Sequence, residues 1–251
     1  MWLRTQEIKN LLLKRQANKR VKNFGVPVSV KLLLLVTLTI PQIVIAEKSV
    51  CYGSTSNGRL ENGVQLPPKG SNFVEYSAVA RMAGRTYVHS EVKKIIVNAY
   101  KELEKIAPAK RYKYAETGTV NGGQFKPHKT HRNGLSVDFM TPVQNEKGES
   151  VHLPTNVLNR FGYDIEFDGY DSYEGLKIDY DAMAAHIVSL HKQAKIAGYD
   201  LWRVIFDPAL QVALFKTRYA EYLKRNITFS KKTSWVRHDE HYHIDFSVPC
   251  K

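Results

Sequence analysis

The stretch HDEHYHIDFSV, residues 238–248, holds three of the chain's nine histidines and reads as a strand from His241 to Val248. In an extended chain alternate side chains share a face. His241, His243 and Asp245 therefore line one side, successive ones about 7 Å apart, while Tyr242, Ile244 and Phe246 line the other. The apolar row calls for burial against a core. A row of half-buried imidazoles needs partners, and a metal ion is the most economical one.

Working outward, a second histidine cluster stands in HKTHRNGLSVD, residues 128–138. Leu135 to Met140 alternates like a short strand, with Leu135, Val137 and Phe139 toward the core and Ser136 and Asp138 facing the other way. Gly134 lets the preceding turn bend His131 back toward Asp138. Two imidazoles and one carboxylate, with a fourth position open, are the donors of a catalytic rather than a structural zinc site. We therefore expect His131, Asp138 and His243 to hold one Zn2+ through bonds of about 2.0 Å, with His241 beside the water on the ion. Asp245 is either an acceptor for an imidazole N–H or a surface salt-bridge partner. The chain's two cysteines exclude a closed Cys-rich site, and neither His-Glu-x-x-His nor its inverted form occurs.

The rest of the chain reads as α+β. Val92, Ile95, Ile96, Ala99, Tyr100, Leu103 and Ile106 form one apolar stripe on a helix capped by Ser90 and stopped by Pro108. A second helix starts at Asp179 or Asp181 and ends at Gly198; a strand covers Leu201 to Phe206; Asp207 and Pro208 open a helix running to about Arg225. Residues 51–76 read as turns and coil, and 145–181 as a solvated loop rich in Asp and Tyr. Its tyrosines, Tyr163, Tyr170, Tyr173 and Tyr180, either wall a groove or pack in the core. His89, His152, His186 and His191 lack metal-like company and are expected at the surface or in helix caps.

Lys31 precedes an apolar run from Leu32 to Ala46 that is broken by Pro41 and Gln42. It is short of the roughly 20 residues a membrane span needs. With basic residues before it and a small residue at its end, it reads as a secretory signal over 1–46, cut after Ala46, or as an uncleaved anchor. Residues 47–251 then form one domain exported to the periplasm. There Cys51 and Cys250, at its two ends, are expected to be bridged. The net charge is +13; residues 1–46 contribute +7 of it and the domain +6. That mild excess suits an anionic polymer and is no nucleic-acid footprint.

His131-x6-Asp138 with the later His241-x-His243 resembles the lysostaphin, D-Ala-D-Ala carboxypeptidase and hedgehog-type metallopeptidases. SNGRLENGVQLP (56–67), GGQF followed by HKTH, GLSVD and HDEHYH resemble, more narrowly, the penicillin-insensitive murein endopeptidases. The chain departs from that family's pattern at Pro127, Lys129, Thr130 and Ser136, and has Glu116 near the place of an aspartate. The resemblance implies a small central, mostly antiparallel sheet that carries the zinc site between flanking helices. It further implies zinc ligands at His131, Asp138 and His243 and additional active-site histidines at His128, His238 and His241. The implied reaction is cleavage of D-alanyl to meso-diaminopimelate cross-links in peptidoglycan. His241 is expected to act as the base, and His238, if protonated, to stabilise the oxyanion; His128 does likewise or positions a ligand. The alternatives are a D,D-carboxypeptidase or L,D-type dipeptidase on the same scaffold, and a non-catalytic peptidoglycan- or metal-binding protein.

Overall fold

This computed structural model describes residues 47–251 other than 170, 233 and 235; the signal or anchor expected over 1–46 lies outside them. In chain order the described elements are β1 (Val50–Ser54), β2 (Asn57–Glu61), β3 (Val64–Gln65), β4 (Phe73–Glu75), α1 (Ala78–Met82), β5 (Tyr87–Val88), α2 (Ser90–Ile106), β6 (Tyr112–Tyr114), β7 (Ser136–Met140), β8 (Val143–Gln144) and β9 (Ser150–Val151). A 3-10 segment (Val157–Gly162) follows, then β10 (Ser172–Tyr173), β11 (Leu176–Ile178), α3 (Tyr180–Ile196), β12 (Asp200–Ile205), α4 (Pro208–Leu214), α5 (Ala220–Asn226) and β13 (His241–Ser247). The architecture is mixed α+β, with several small sheets and a few helices. Among the described residues no helix is long and apolar enough to cross a membrane.

The largest sheet has the order β12-β13-β7-β6-β4, and only β4 and β6 pair in parallel. The two histidine-bearing strands are its neighbours. β13 pairs antiparallel with β7, with His243 opposite Asp138, Ile244 opposite Val137 and Tyr242 opposite Phe139. Register follows from burial, because a slip of one residue would turn Asp138 into the apolar face. Val137, Phe139, Tyr242, Ile244 and Phe246 are all buried on that face.

α2 buries six residues of its expected stripe (Val92, Ile95, Ile96, Ala99, Tyr100, Leu103), while the seventh, Ile106 in the last turn, is exposed. Its cap differs: His89 Nδ1, not Ser90, accepts the Glu91 N–H, at 3.2 Å. α3 is capped by Asp179 and buried almost all round. His186 in α3 is a core residue, contrary to expectation. Its ring stacks on Tyr100 at 4.9 Å and meets Phe139 edge-on at 4.8 Å. Nδ1 hydrogen-bonds the Tyr242 hydroxyl, and burial pushes the imidazole down to about 3. His191 is also buried, between the Tyr222 hydroxyl at 2.8 Å and Asp200 at 3.1 Å.

Three further expectations are corrected. Residues 50–61 form the hairpin β1–β2 rather than coil, tight at Ser54–Asn57. Segment 145–181 contains β9, β10 and β11, which join β8 in a four-stranded sheet. The helix expected to run to Arg225 is two helices, parted by a turn in which Thr217 Oγ1 donates to the Leu214 carbonyl. Cys51 and Cys250 are bonded, closing a separation of 199 residues. The main chain beside the bridge is paired as well, Lys251 N–H to the Cys51 carbonyl at 2.9 Å.

Candidate metal centre

Antiparallel pairing sets Asp138 and His243 side by side on the polar face, with His243 Nδ1 2.8 Å from Asp138 Oδ1. His131 reaches the same oxygen from the loop before β7. Its own backbone is left-handed, at φ 66°, and so is Gly134, at φ 76°. A Cβ on Gly134 would meet Leu60 Cδ2 at 2.7 Å and the His89 nitrogen at 2.8 Å, so the turn requires glycine.

The outer nitrogens determine what the inner ones can do. His131 Nδ1–H donates to the Thr117 carbonyl at 3.1 Å, which leaves Nε2 without a hydrogen, 3.2 Å from Asp138 Oδ1. That Nε2 is buried and has no hydrogen-bond partner. His243 Nε2–H donates to Asp245 Oδ1 at 2.8 Å. Asp245 also accepts from Ser136 Oγ and, at 2.6 Å, from Arg203 Nε. Burial opposes its charge, but His243, Ser136 and Arg203 hold it well below the usual carboxylate range. Asp245 is thus the imidazole acceptor, and its ion pair with Arg203 is buried on the carboxylate side rather than at the surface. Metal-binding histidines carry outer partners of this kind, which fix the tautomer and ring orientation.

The cluster demands positive charge. Burial opposes protonation of His243, yet Asp245 and Asp138 on either side push it up to about 10. Asp138 is held well below its ordinary value by the surrounding imidazoles, despite full burial. A buried nitrogen lone pair with no donor, next to a carboxylate already in demand, is what a cation would satisfy, and His131, Asp138 and His243 could hold one. The donors, two imidazoles and one carboxylate, suit a borderline ion such as zinc.

The histidines around Asp138 outnumber the three expected ligands. Donor atoms of His128, His131 and Asp138 lie within 4.8 Å of one another. His128 Nδ1 is 3.9 Å from Asp138 Oδ2, and its Nε2 is bonded to Glu116. Burial would raise Glu116, but bonds from His128 and Arg85 bring it down to about 2, so it is a firm anion. His241 Nε2 lies 3.8 Å from Asp138 Oδ2, with Nδ1 bound 2.6 Å from Glu240 Oε1. Burial lowers His241 to about 4 and raises Glu240 to about 8. The His238 ring is 4.6 Å from that of His241, and its Nδ1–H donates to the Val236 carbonyl at 2.9 Å. Burial takes His238 down to about 3. Burial thus disfavours the protonated form that an oxyanion donor at His238 would need.

Two participants were missed in the sequence. Glu240 stands in the sequence only as part of HDEHYH, with nothing to mark it as the partner of His241. Tyr163 walls the groove, one of the two alternatives open to it, and its hydroxyl also donates to Asp138 Oδ2 at 3.0 Å and accepts the Glu116 N–H at 3.2 Å, a role the sequence does not announce. The approach to Tyr163 runs through left-handed Arg160 (φ 47°) and Phe161 (φ 59°), conformations that cost energy in non-glycine residues. His128, Asp138, Tyr163, Arg203, His238 and His241 all line a groove of about 880 Å³, large enough for a peptide segment. His89, His152, His186 and His191 do not line it.

A search of curated proteins returns no match. Residues 51–251 match the family described as penicillin-insensitive murein endopeptidase, a span that begins at the disulfide's first cysteine and takes in every residue of the cluster. By that match over most of its length, the chain belongs to the penicillin-insensitive murein endopeptidase family.

Proposed function

We propose that this chain is an exported, zinc-dependent peptidoglycan hydrolase that cuts D-alanyl to meso-diaminopimelate cross-links. One observation carries the metal reading: His131 and His243 each use their outer nitrogen as a donor and turn the inner one on a single oxygen of Asp138. His131, Asp138 and His243 would hold the ion. A divalent ion there supplies Lewis acidity to a scissile carbonyl and makes water a better nucleophile near neutral pH.

The remaining residues move protons and orient groups. His241 is neutral near pH 7 and is oriented by Glu240. Neutral and on the groove, it takes the proton from the attacking water and returns it to the leaving amine. His128, backed by ionised Glu116, is placed to support the oxyanion or to steady the ligand set. Tyr163 holds the second oxygen of Asp138.

Family membership and the Cys51–Cys250 bridge support export, with residues 1–46 as signal or anchor and the periplasm as destination. One sheet face carrying the donors, with helices against the other, supports kinship with the hedgehog and D-Ala-D-Ala-peptidase folds. The test is digestion of purified cross-linked muropeptide dimers by the zinc-loaded chain. Monomers are expected. Release of single D-alanine would mean a carboxypeptidase, and binding of sacculi with no hydrolysis a non-catalytic protein.

A further inference from the structure

β12 carries one residue more than β13 opposite it. Leu201 pairs with Phe246 and Arg203 with Asp245, so Trp202 is the extra residue of a β-bulge. Without it, Arg203 would stand opposite Ile244, on the apolar face. With it, Arg203 joins Asp245 and His243 on the polar face. The bulge therefore brings a guanidinium to the groove.

That guanidinium is fixed on two sides. Nε donates to Asp245 Oδ2 at 2.6 Å, and Cζ lies 4.4 Å from the centre of the Trp202 ring, which is 55 % exposed. Among the described residues, its Nη1 and Nη2 make no hydrogen bond. The side chain is about one-third exposed and lines the groove. Arg237, on the same groove, is instead spent on Asp207, Glu166 and the Phe167 carbonyl.

We propose that Arg203, braced by Trp202 and Asp245, is a carboxylate-binding subsite of the groove. Its two terminal nitrogens would grip the free carboxylate on the diaminopimelate centre whose amine forms the scissile amide. Guanidinium binds carboxylate in a planar two-point contact that a lysine cannot reproduce. The inference rests on the endopeptidase reading above. It adds that the substrate is chosen by a charge next to the cut bond, two hydrogen bonds away from His243 through Asp245.

The experiment uses the full chain loaded with zinc and two cross-linked dimeric peptides, identical except that this diaminopimelate carboxylate is free in one and amidated in the other. Wild type is expected to prefer the free acid by about 10- to 100-fold in kcat/KM, the loss typical of one charge-assisted contact. Arg203→Gln should bring that ratio close to one, mostly through KM. Arg203→Lys, which keeps a charge beside Asp245, should retain part of it, and Trp202→Ala should lower it. The ratio cancels any general damage to the metal site, and Arg203→Lys serves if Arg203→Gln does not fold. An Arg203 variant with the wild-type ratio, or a wild type that cleaves both peptides equally, overturns the subsite alone. A wild type that binds zinc and cleaves neither overturns the endopeptidase reading and the subsite with it.

Discussion

Replacing Asp245 with Asn tests the outer support of the metal centre. Asp245 is fully buried and accepts three hydrogen bonds, from His243 Nε2 at 2.8 Å, Ser136 Oγ and Arg203 Nε at 2.6 Å. If the amide oxygen faces His243, the NH2 group meets the Arg203 N–H, donor against donor. If the amide turns over, NH2 faces His243 Nε2 and forces the proton onto Nδ1, the nitrogen that faces Asp138. Either way one charge-assisted bond is lost, worth about 1.5–3 kcal/mol. We expect zinc affinity to fall about 10- to 100-fold, the usual effect of removing an outer partner, and the metal-free protein to lose about 2 kcal/mol of stability. The assay is competition for zinc with a chromophoric chelator, alongside denaturant unfolding. A variant whose affinity stays within twofold of wild type would refute the reasoning.

Tyr163→Phe should lower zinc affinity about tenfold with little change in fold, read by the same chelator competition and circular dichroism. His186 is held neutral by burial, its folded value of about 3 lying below its unfolded one. The unfolded chain then binds the extra proton, and stability drains away as pH falls below about 6.5, by about 2 kcal/mol between pH 6.5 and 5. His186→Gln should flatten that slope in urea titrations at the two pH values; an unchanged slope would count against the core assignment. Breaking Cys51–Cys250 with a double serine variant releases a loop of 199 residues and should cost up to about 5 kcal/mol, seen as a lower guanidinium midpoint.

The sequence disclosed the face of β13 and its partner β7 because both obey a period of two, and a polar row opposite an apolar one admits few arrangements. The stripe of α2 was as plain. Glu240 escaped because it sits in a bend just before β13, where alternation no longer says which way a side chain points. The contact of Tyr163 with Asp138 escaped because left-handed backbone at Arg160 and Phe161, unannounced by any glycine at those positions, turns it inward. His186 looked exposed because a helix buried nearly all round has no polar face against which to judge a histidine. The hairpin at 50–61 was hidden by Gly and Asn, which signal its turns more strongly than its short strands. The Trp202 bulge has no sequence signature; only pairing with β13 reveals it.

The central claim is that His243 belongs to the donor set, together with His131 and Asp138. Titrating metal-free wild type and His243→Ala with zinc against a chelator tests it most directly. The account predicts one tightly held ion per wild-type chain and none retained by a folded His243→Ala. A variant that still bound one zinc with wild-type affinity would hand the site to His128, His131 and Asp138, and a wild type that bound none would contradict the metal centre itself.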